Sequence, residues 1–223
     1  MSDQSSVEYI GYISDTSRSE RNAHARNFDD YSSVFGYNEK NLKGKFILDV
    51  GSGDSDFAQK ASSLGAKVAR LDPKYRPRPT QEELTEKPYL NDPYLGLPSN
   101  TEKAAAGIVQ ELPFKDGSFD ETVANTSMYW VEKGISQSLA EMLRVTKPGG
   151  FVKIYPAFFT SNDTNMGKSD FPLGAKLVDY SGVRGKTLVI PKGEATDSNQ
   201  QKEEINKLTG MVKFTNMLPS LPA

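Results

Sequence analysis

Asp49 sits inside the apolar run that opens FILDVGSGDSDFAQK, residues 46–60, two positions before the first of the glycines Gly51 and Gly53. A carboxylate in such a run is costly unless something at the end of the strand pairs with it. A positively charged ligand would do so. Asp72 lies 23 residues further on and closes a second apolar run, AKVARLDP. Between the two carboxylates the glycine turn offers free backbone N–H groups at the carboxyl end of a strand, where open α/β sheets take their ligands.

Three ligand types compete for that turn. A triphosphate loop needs Lys and Ser or Thr after the glycines. Here Asp54, Ser55 and Asp56 follow instead, and two carboxylates facing a triphosphate repel it. A nicotinamide dinucleotide site needs a third glycine where Asp56 stands, and Asp56 adds negative charge where the pyrophosphate would rest. A cationic ligand suits both the glycines and the acids.

The elements that must position these residues are legible as a βαβ unit. Phe46, Ile47, Leu48 and Val50 form a strand suited to burial on both faces. SDFAQKASSLG predicts a helix capped by Ser55 and stopped by Gly65, and AKVARLDP the second strand. AAAGIVQEL holds a short third strand, and a fourth runs through Thr122 to Ala124. GISQSLAEMLRVTKPGG predicts a helix with Ile135, Leu139, Met142 and Leu143 on one face, ended by Pro148 and Gly149. FVKIYPAFF is the fifth strand. TLVIPK reads as a further strand and SNQQKEEINKLTGMV as a helix. Alternating β/α units predict an open, doubly wound, mostly parallel sheet with helices on both faces, a three-layer sandwich.

At 223 residues, 36% apolar and 25% charged, the chain suits one domain with a sizeable core. The net charge of -2, with Lys and Arg spread along the chain, lacks the basic footprint of a nucleic-acid binder. There is no cysteine and one histidine, which excludes disulfides, thiolate zinc sites, cysteine catalysis and multi-histidine metal centres; no metal is expected. No apolar stretch approaches the ~20 residues that cross a bilayer, and MSDQSSVEYIGY lacks the pattern of a signal peptide. The expectation is a cytoplasmic protein, monomeric or homodimeric, with no membrane or nucleic-acid partner.

Asp-x-Gly-x-Gly at Asp49–Gly53, with Asp72 ending the next strand, resembles the S-adenosylmethionine site of class I methyltransferases. VQELPFKDGSFDETVAN is similar to the passage between the third and fourth strands of the type-11, small-molecule group. EMLRVTKPGGFVKIYP is similar to its fourth helix, turn and fifth strand. These motifs stand in the family's order over roughly residues 44 to 156. The resemblance implies S-adenosylmethionine as cofactor and methyl transfer to a small-molecule acceptor by in-line displacement. It implies that Asp49 lies near the methionine amino group, that Gly51, Ser52 and Gly53 line the turn, and that Asp72, with Pro73 behind it, accepts from the ribose hydroxyls. Val109, Gln110 and Glu111 fall at the adenine end, and Asn125 and Thr126 near the methionine. Ile108 stands where the family often has an acid, a departure that leaves adenine to apolar contact and a backbone N–H. In the family a third glycine packs helix on strand; Ser55 is small enough to replace it.

Ser127, Tyr129 and Trp130 follow the fourth strand and are expected to wall the substrate site, with core packing as the alternative for the two aromatics. No fixed catalytic constellation is required, because the sulfonium carries the activation and alignment does the rest. His24 and Tyr129 are the residues a general base could be drawn from. The expected organisation is a single domain: a cap or lid at 1–40, a cofactor-binding core at 41–156, a Pro/Tyr-rich insertion at 73–103 and a C-terminal part at 157–223. Tyr9, Tyr12 and Tyr31 either fold over the cofactor or anchor the N-terminal segment. A non-catalytic scaffold on the same fold is the competing reading, favoured by Ile108; aminopropyl transfer is disfavoured by the lack of an acidic pair for a polyamine.

Overall fold

The computed structural model describes residues 26–75, 104–131, 133–159, 171–180, 185–194 and 198–214. Strands β1 (Phe46–Val50), β2 (Lys67–Leu71), β3 (Ala104–Ala105), β4 (Phe119–Asn125) and β5 (Thr146–Phe159) run parallel to one another. β6 (Lys176–Val178) and β7 (Lys186–Pro191) extend the sheet, with β7 antiparallel to both β5 and β6. The order across the sheet is β3-β2-β1-β4-β5-β7-β6, and β8 (Val212–Lys213) pairs with the far end of β5. The order reverses direction at β1 and β4, which is where a doubly wound sheet opens a crevice beyond its carboxyl ends.

Side-chain alternation assigns each strand residue to one of two cores. Ile47, Val68 and Val123 pack against helices α1 (Phe28–Phe35), α2 (Glu39–Leu42) and α3 (Phe57–Ser63). Leu48, Val50, Ala69, Leu71, Ala124, Val152 and Ile154 face α4 (Ile135–Val145) and α5 (Ser198–Met211). The mostly parallel sheet with helices on both faces is the expected one.

Two boundaries differ from the sequence expectation. α3 begins at Phe57 rather than after Ser55; Ser55 still caps locally, its Oγ accepting the Phe57 N–H at 3.0 Å. α4 ends at Val145, not at Pro148. Thr146 closes it, with its Oγ1 donating to the Met142 carbonyl at 2.7 Å and pairing with Thr122 Oγ1 at 2.8 Å, so the chain enters the sheet at once.

α1 is cut by its own caps. Asn27 and Asp30 form a reciprocal capping box, and Gly36 leaves the helix in the left-handed region. Its apolar face lies on α3 through a stack of rings. The Tyr31 and Phe57 centroids are 4.2 Å apart at 8°, and Tyr37 stacks on the same Phe57 at 5.5 Å. Beneath them lies an ionic cluster: Glu121, 1% exposed, takes Lys153 at 2.8 Å, the Tyr37 hydroxyl at 2.8 Å and Lys45.

Candidate functional site

The glycine turn follows β1 directly and is held to the end of β2. The Gly51 N–H donates to the Leu71 carbonyl at 2.7 Å, and the Gly53 N–H donates to Asp72 Oδ2 at 2.9 Å. Both glycines have positive φ, 68° and 50°, a region open to glycine at little cost. At Gly51 the constraint is also steric. A side chain there would meet Ser127, whose Oγ donates to the Val50 carbonyl at 2.6 Å. The ends of β1 and β4 are thereby drawn together.

Asp49, Gly51, Ser52, Gly53, Asp72 and Ser127 thus form one cluster at the carboxyl ends of β1, β2 and β4. Asp49 is fully buried on the α1 face, and both its oxygens accept from the Tyr31 hydroxyl, at 2.9 and 3.0 Å. Burial pushes its carboxyl up to about 7, against the pull of the Tyr31 hydrogen bond and Arg70. The parallel register sets Arg70 beside Asp49 on that face. Arg70 is 6% exposed and donates to the Gly53 carbonyl and, at 3.4 Å, to Ser52 Oγ. Its guanidinium carbon lies 5.3 Å from the centroid of the Tyr75 ring. The Tyr75 hydroxyl shares Ser52 Oγ at 2.7 Å and also reaches the Gly53 carbonyl. Burial pushes the Tyr75 phenol upward, so it stays a donor.

Neither Tyr31, Arg70 nor Tyr75 was marked as a site residue by the sequence motifs. Arg70 could have been found from alternation alone, since it faces the same side as Asp49 once the strands are paired. Tyr31 could not, because its partner is 18 residues away on another element. Of the two roles open to Tyr31, the structure gives the anchor.

The other expected residues spread more widely. Asn125 ends β4, 4% exposed, and its Oδ1 accepts from Thr126 Oγ1 at 3.1 Å. Its Nδ2 is buried and has no hydrogen-bond partner among the described residues, which is rare for such a group unless a ligand supplies one. Thr126 has φ 66° and accepts from Arg26 Nε at 3.1 Å. Val109 points into the α4 core. Gln110 is tied to the segment before α4, its Nε2 on the Lys133 carbonyl at 3.2 Å. Glu111 is exposed, Pro73 opens a short 3-10 turn, and Tyr129 is 37% exposed rather than in the core. His24, Tyr9, Tyr12, the Trp130 side chain and the insertion beyond Tyr75 lie outside the described residues.

At the amino ends of β1, β4 and β5 a second, open cleft is lined by Lys45, Asp120, Lys147 and Phe151. Its lysines are already ion-paired, Lys147 with Asp120 at 2.6 Å and Lys45 with Glu121. The unmatched donor and the glycine turn are at the other end of the sheet. Among the described residues no group of three His, Asp or Glu could hold a metal, and no helix is long and apolar enough to cross a membrane.

Residues 48–154 match a family model described as a methyltransferase domain. That region, just under half of the chain, is similar to a methyltransferase domain. The match runs from β1 through the glycine turn and Asp72 to β5, so it contains the whole cluster around Gly51. Two curated proteins are similar to this chain. The malonyl-[acyl-carrier protein] O-methyltransferase of Buchnera aphidicola subsp. Baizongia pistaciae is 30% identical over 138 residues, 57% of this chain and 49% of that protein. The protein of the same name from Erwinia billingiae is 32% identical over 110 residues, 49% of this chain and 38% of that protein. The chain therefore spans about half or less of the length of these relatives. Among solved structures, a protein of Methanococcus maripaludis proposed to be an S-adenosyl-L-methionine-dependent methyltransferase aligns with TM-score 0.46 and 16% identity, covering 76% of this chain and 84% of that one.

The residues around the glycine turn fit S-adenosylmethionine, the cofactor that the sequence resemblance implies. Among the described residues Asp49 and Asp72 face one cation, Arg70, around the turn, which disfavours an anionic ligand and suits a cationic one. The orphan Asn125 amide can meet a carboxylate or carbonyl oxygen, and Gly53 has open space where a side chain would stand.

Proposed function

We propose that this protein transfers a methyl group from S-adenosylmethionine to a small-molecule acceptor. The observation that carries the reading is the buried, unpartnered Asn125 amide beside a glycine turn locked to Asp72. The bound cofactor supplies an electrophilic methyl on a sulfonium. In this reading Asp72 accepts from vicinal ribose hydroxyls, Asn125 donates to the methionine carboxylate, and Asp49 offsets the ammonium from beneath the turn. Gly51, Ser52, Gly53, Pro73 and Thr126 give the backbone wall, with Val109, Gln110 and Glu111 at the adenine end. Ser127, Tyr129 and Trp130 flank the acceptor. The two relatives methylate an oxygen by name, which makes acids the first acceptors to assay. Alignment and exclusion of water supply the catalysis. Of the segment 1–40 expected to cap the site, α1 packs on one face of the sheet instead; the insertion at 73–103 is assigned to cap it, over a core at 41–156 and a C-terminal part at 157–223.

Ile108 favours a second reading, a fold that no longer turns over. It is 44% exposed, an apolar side chain where the family often has an acid. One experiment separates the two. Calorimetric titration with S-adenosylmethionine and S-adenosylhomocysteine should show binding that Asp72→Asn weakens about tenfold or more, the scale of one charge-assisted hydrogen bond. The Asn side chain keeps an acceptor for Gly53 N–H, so the turn stays closed. No heat from either ligand with folded wild type would overturn the methyltransferase reading and favour the scaffold.

A further inference from the structure

We propose that Tyr31 is a positioning residue for the cofactor site: its hydroxyl, delivered by α1 from behind the sheet, holds the Asp49 carboxylate charged beneath the glycine turn. This rests on the cofactor reading above. The geometry is specific. Tyr31 is 1% exposed, its ring is stacked on Phe57, and its hydroxyl spans both Asp49 oxygens at 2.9 and 3.0 Å. A donor shared by both oxygens favours the charged form of a carboxylate. α1 is itself fastened to the site at two further points. The Phe28 N–H donates to Asp56 Oδ1 at 2.7 Å, just after the turn, and Arg26 Nε reaches Thr126 at 3.1 Å, beside β4. The hydroxyl therefore cannot drift from Asp49 without releasing the helix.

Among the described residues the groups that bear on Asp49 are few. Tyr31 comes from α1 and Tyr37 from the segment after it, Arg70 from β2, and Asp72 and Tyr75 from the turn beyond. Burial disfavours the charge and pushes the carboxyl up to about 7. Near neutrality the Tyr31 hydrogen bond thus decides how much of Asp49 is charged when a cationic amino acid moiety arrives. No bond is made or broken; the hydroxyl keeps its proton, since burial and Asp49 push the phenol well above its ordinary range.

Tyr31→Phe tests this, because it keeps the stack on Phe57 and removes only the donor. The Asp49 carboxyl is followed by carbon-13 NMR titration of the ligand-free protein, its resonance identified by loss in Asp49→Asn. The midpoint in Tyr31→Phe should lie above that of wild type by about one pH unit or more, the order of one hydrogen bond to a charged group. S-adenosylhomocysteine affinity, measured across the same range, should rise with Asp49 ionisation in wild type. In Tyr31→Phe the rise should be displaced by the same amount, and at neutral pH affinity should fall about tenfold. Asp49→Asn should bind weakly with no such rise. A purely structural role would lower affinity by one factor at every pH and leave the midpoint in place, which would overturn the proposal. Wild type that fails to bind S-adenosylhomocysteine at any pH would instead sink the cofactor reading, and the cofactor half of this proposal with it.

Discussion

Gly51 and Ser127 exclude one another's side chains. A Cβ built on Gly51 would lie 2.8 Å from Ser127 Oγ and closer still to Ser127 Cβ, while that hydroxyl is engaged on the Val50 carbonyl. The turn after β1 and the first residue after Thr126 can approach only because one of them has no side chain.

Gly51→Ala should therefore suffer twice, from a positive φ and from Ser127. Denaturation should place the loss above the roughly 1–2 kcal/mol expected from φ alone, with S-adenosylhomocysteine binding abolished. Gly53→Ala has open space and should show only the conformational part. Adding Ser127→Gly to Gly51→Ala should recover stability; no recovery would mean the backbone, not the contact, is at fault.

Asp49 should make the protein less stable as pH rises. Its carboxyl is raised by burial from the ordinary 3.8 to about 7, so the folded state holds a proton that the unfolded state has lost. The stability it gives is complete below about pH 4 and gone above about pH 7. Asp49→Asn should thus gain on wild type across that window, by roughly 4 kcal/mol at most. Denaturant curves at about pH 5 and about pH 8 decide it; an equal difference at both would refute the sign.

Glu121 should act in the opposite sense. Burial alone would raise its carboxyl, but Lys153 and Lys45 bring it below the ordinary 4.5. Its contribution should be present at neutral pH and fade as pH falls below about 4.5. Glu121→Gln leaves Lys153 buried without a counter-charge and should cost about 3–5 kcal/mol at neutral pH. An acid limb of wild-type stability identical to that of Glu121→Gln would contradict this.

Asn125→Ala should cost little in the ligand-free protein, about 1 kcal/mol or less, because the Nδ2 it removes bonds none of the described residues. Its effect should appear on titration with S-adenosylhomocysteine, as a loss of about tenfold or more. A large fall in melting temperature with binding intact would reverse the assignment.

How far the sequence alone reaches is visible in these same residues. β1, the glycines and Asp72 were legible because strand, turn and acid are contiguous, and their types carry the chemistry. α4 was legible by its periodicity, but its end was placed three residues too late, because Thr146 turns into the sheet on two hydroxyl contacts that leave no composition signal. Ser55 looked like the first cap of α3, yet Asp56 precedes the helix and is spent on Phe28 N–H. Tyr31 with Asp49, and Tyr37 with Glu121, join residues 18 and 84 positions apart. Only the packing of α1 on the sheet brings such pairs together, so no local pattern could announce them.

α1 has one more attachment, far along the chain. Thr187 on β7 donates its hydroxyl to the Val34 carbonyl, across 153 residues. The helix that carries Tyr31 is thereby joined to a strand from the other half of the sheet. Such long separations slow folding. The helix behind Asp49 is tied to both halves of the sheet, to the glycine-turn half through Tyr31 and to the far half through Thr187.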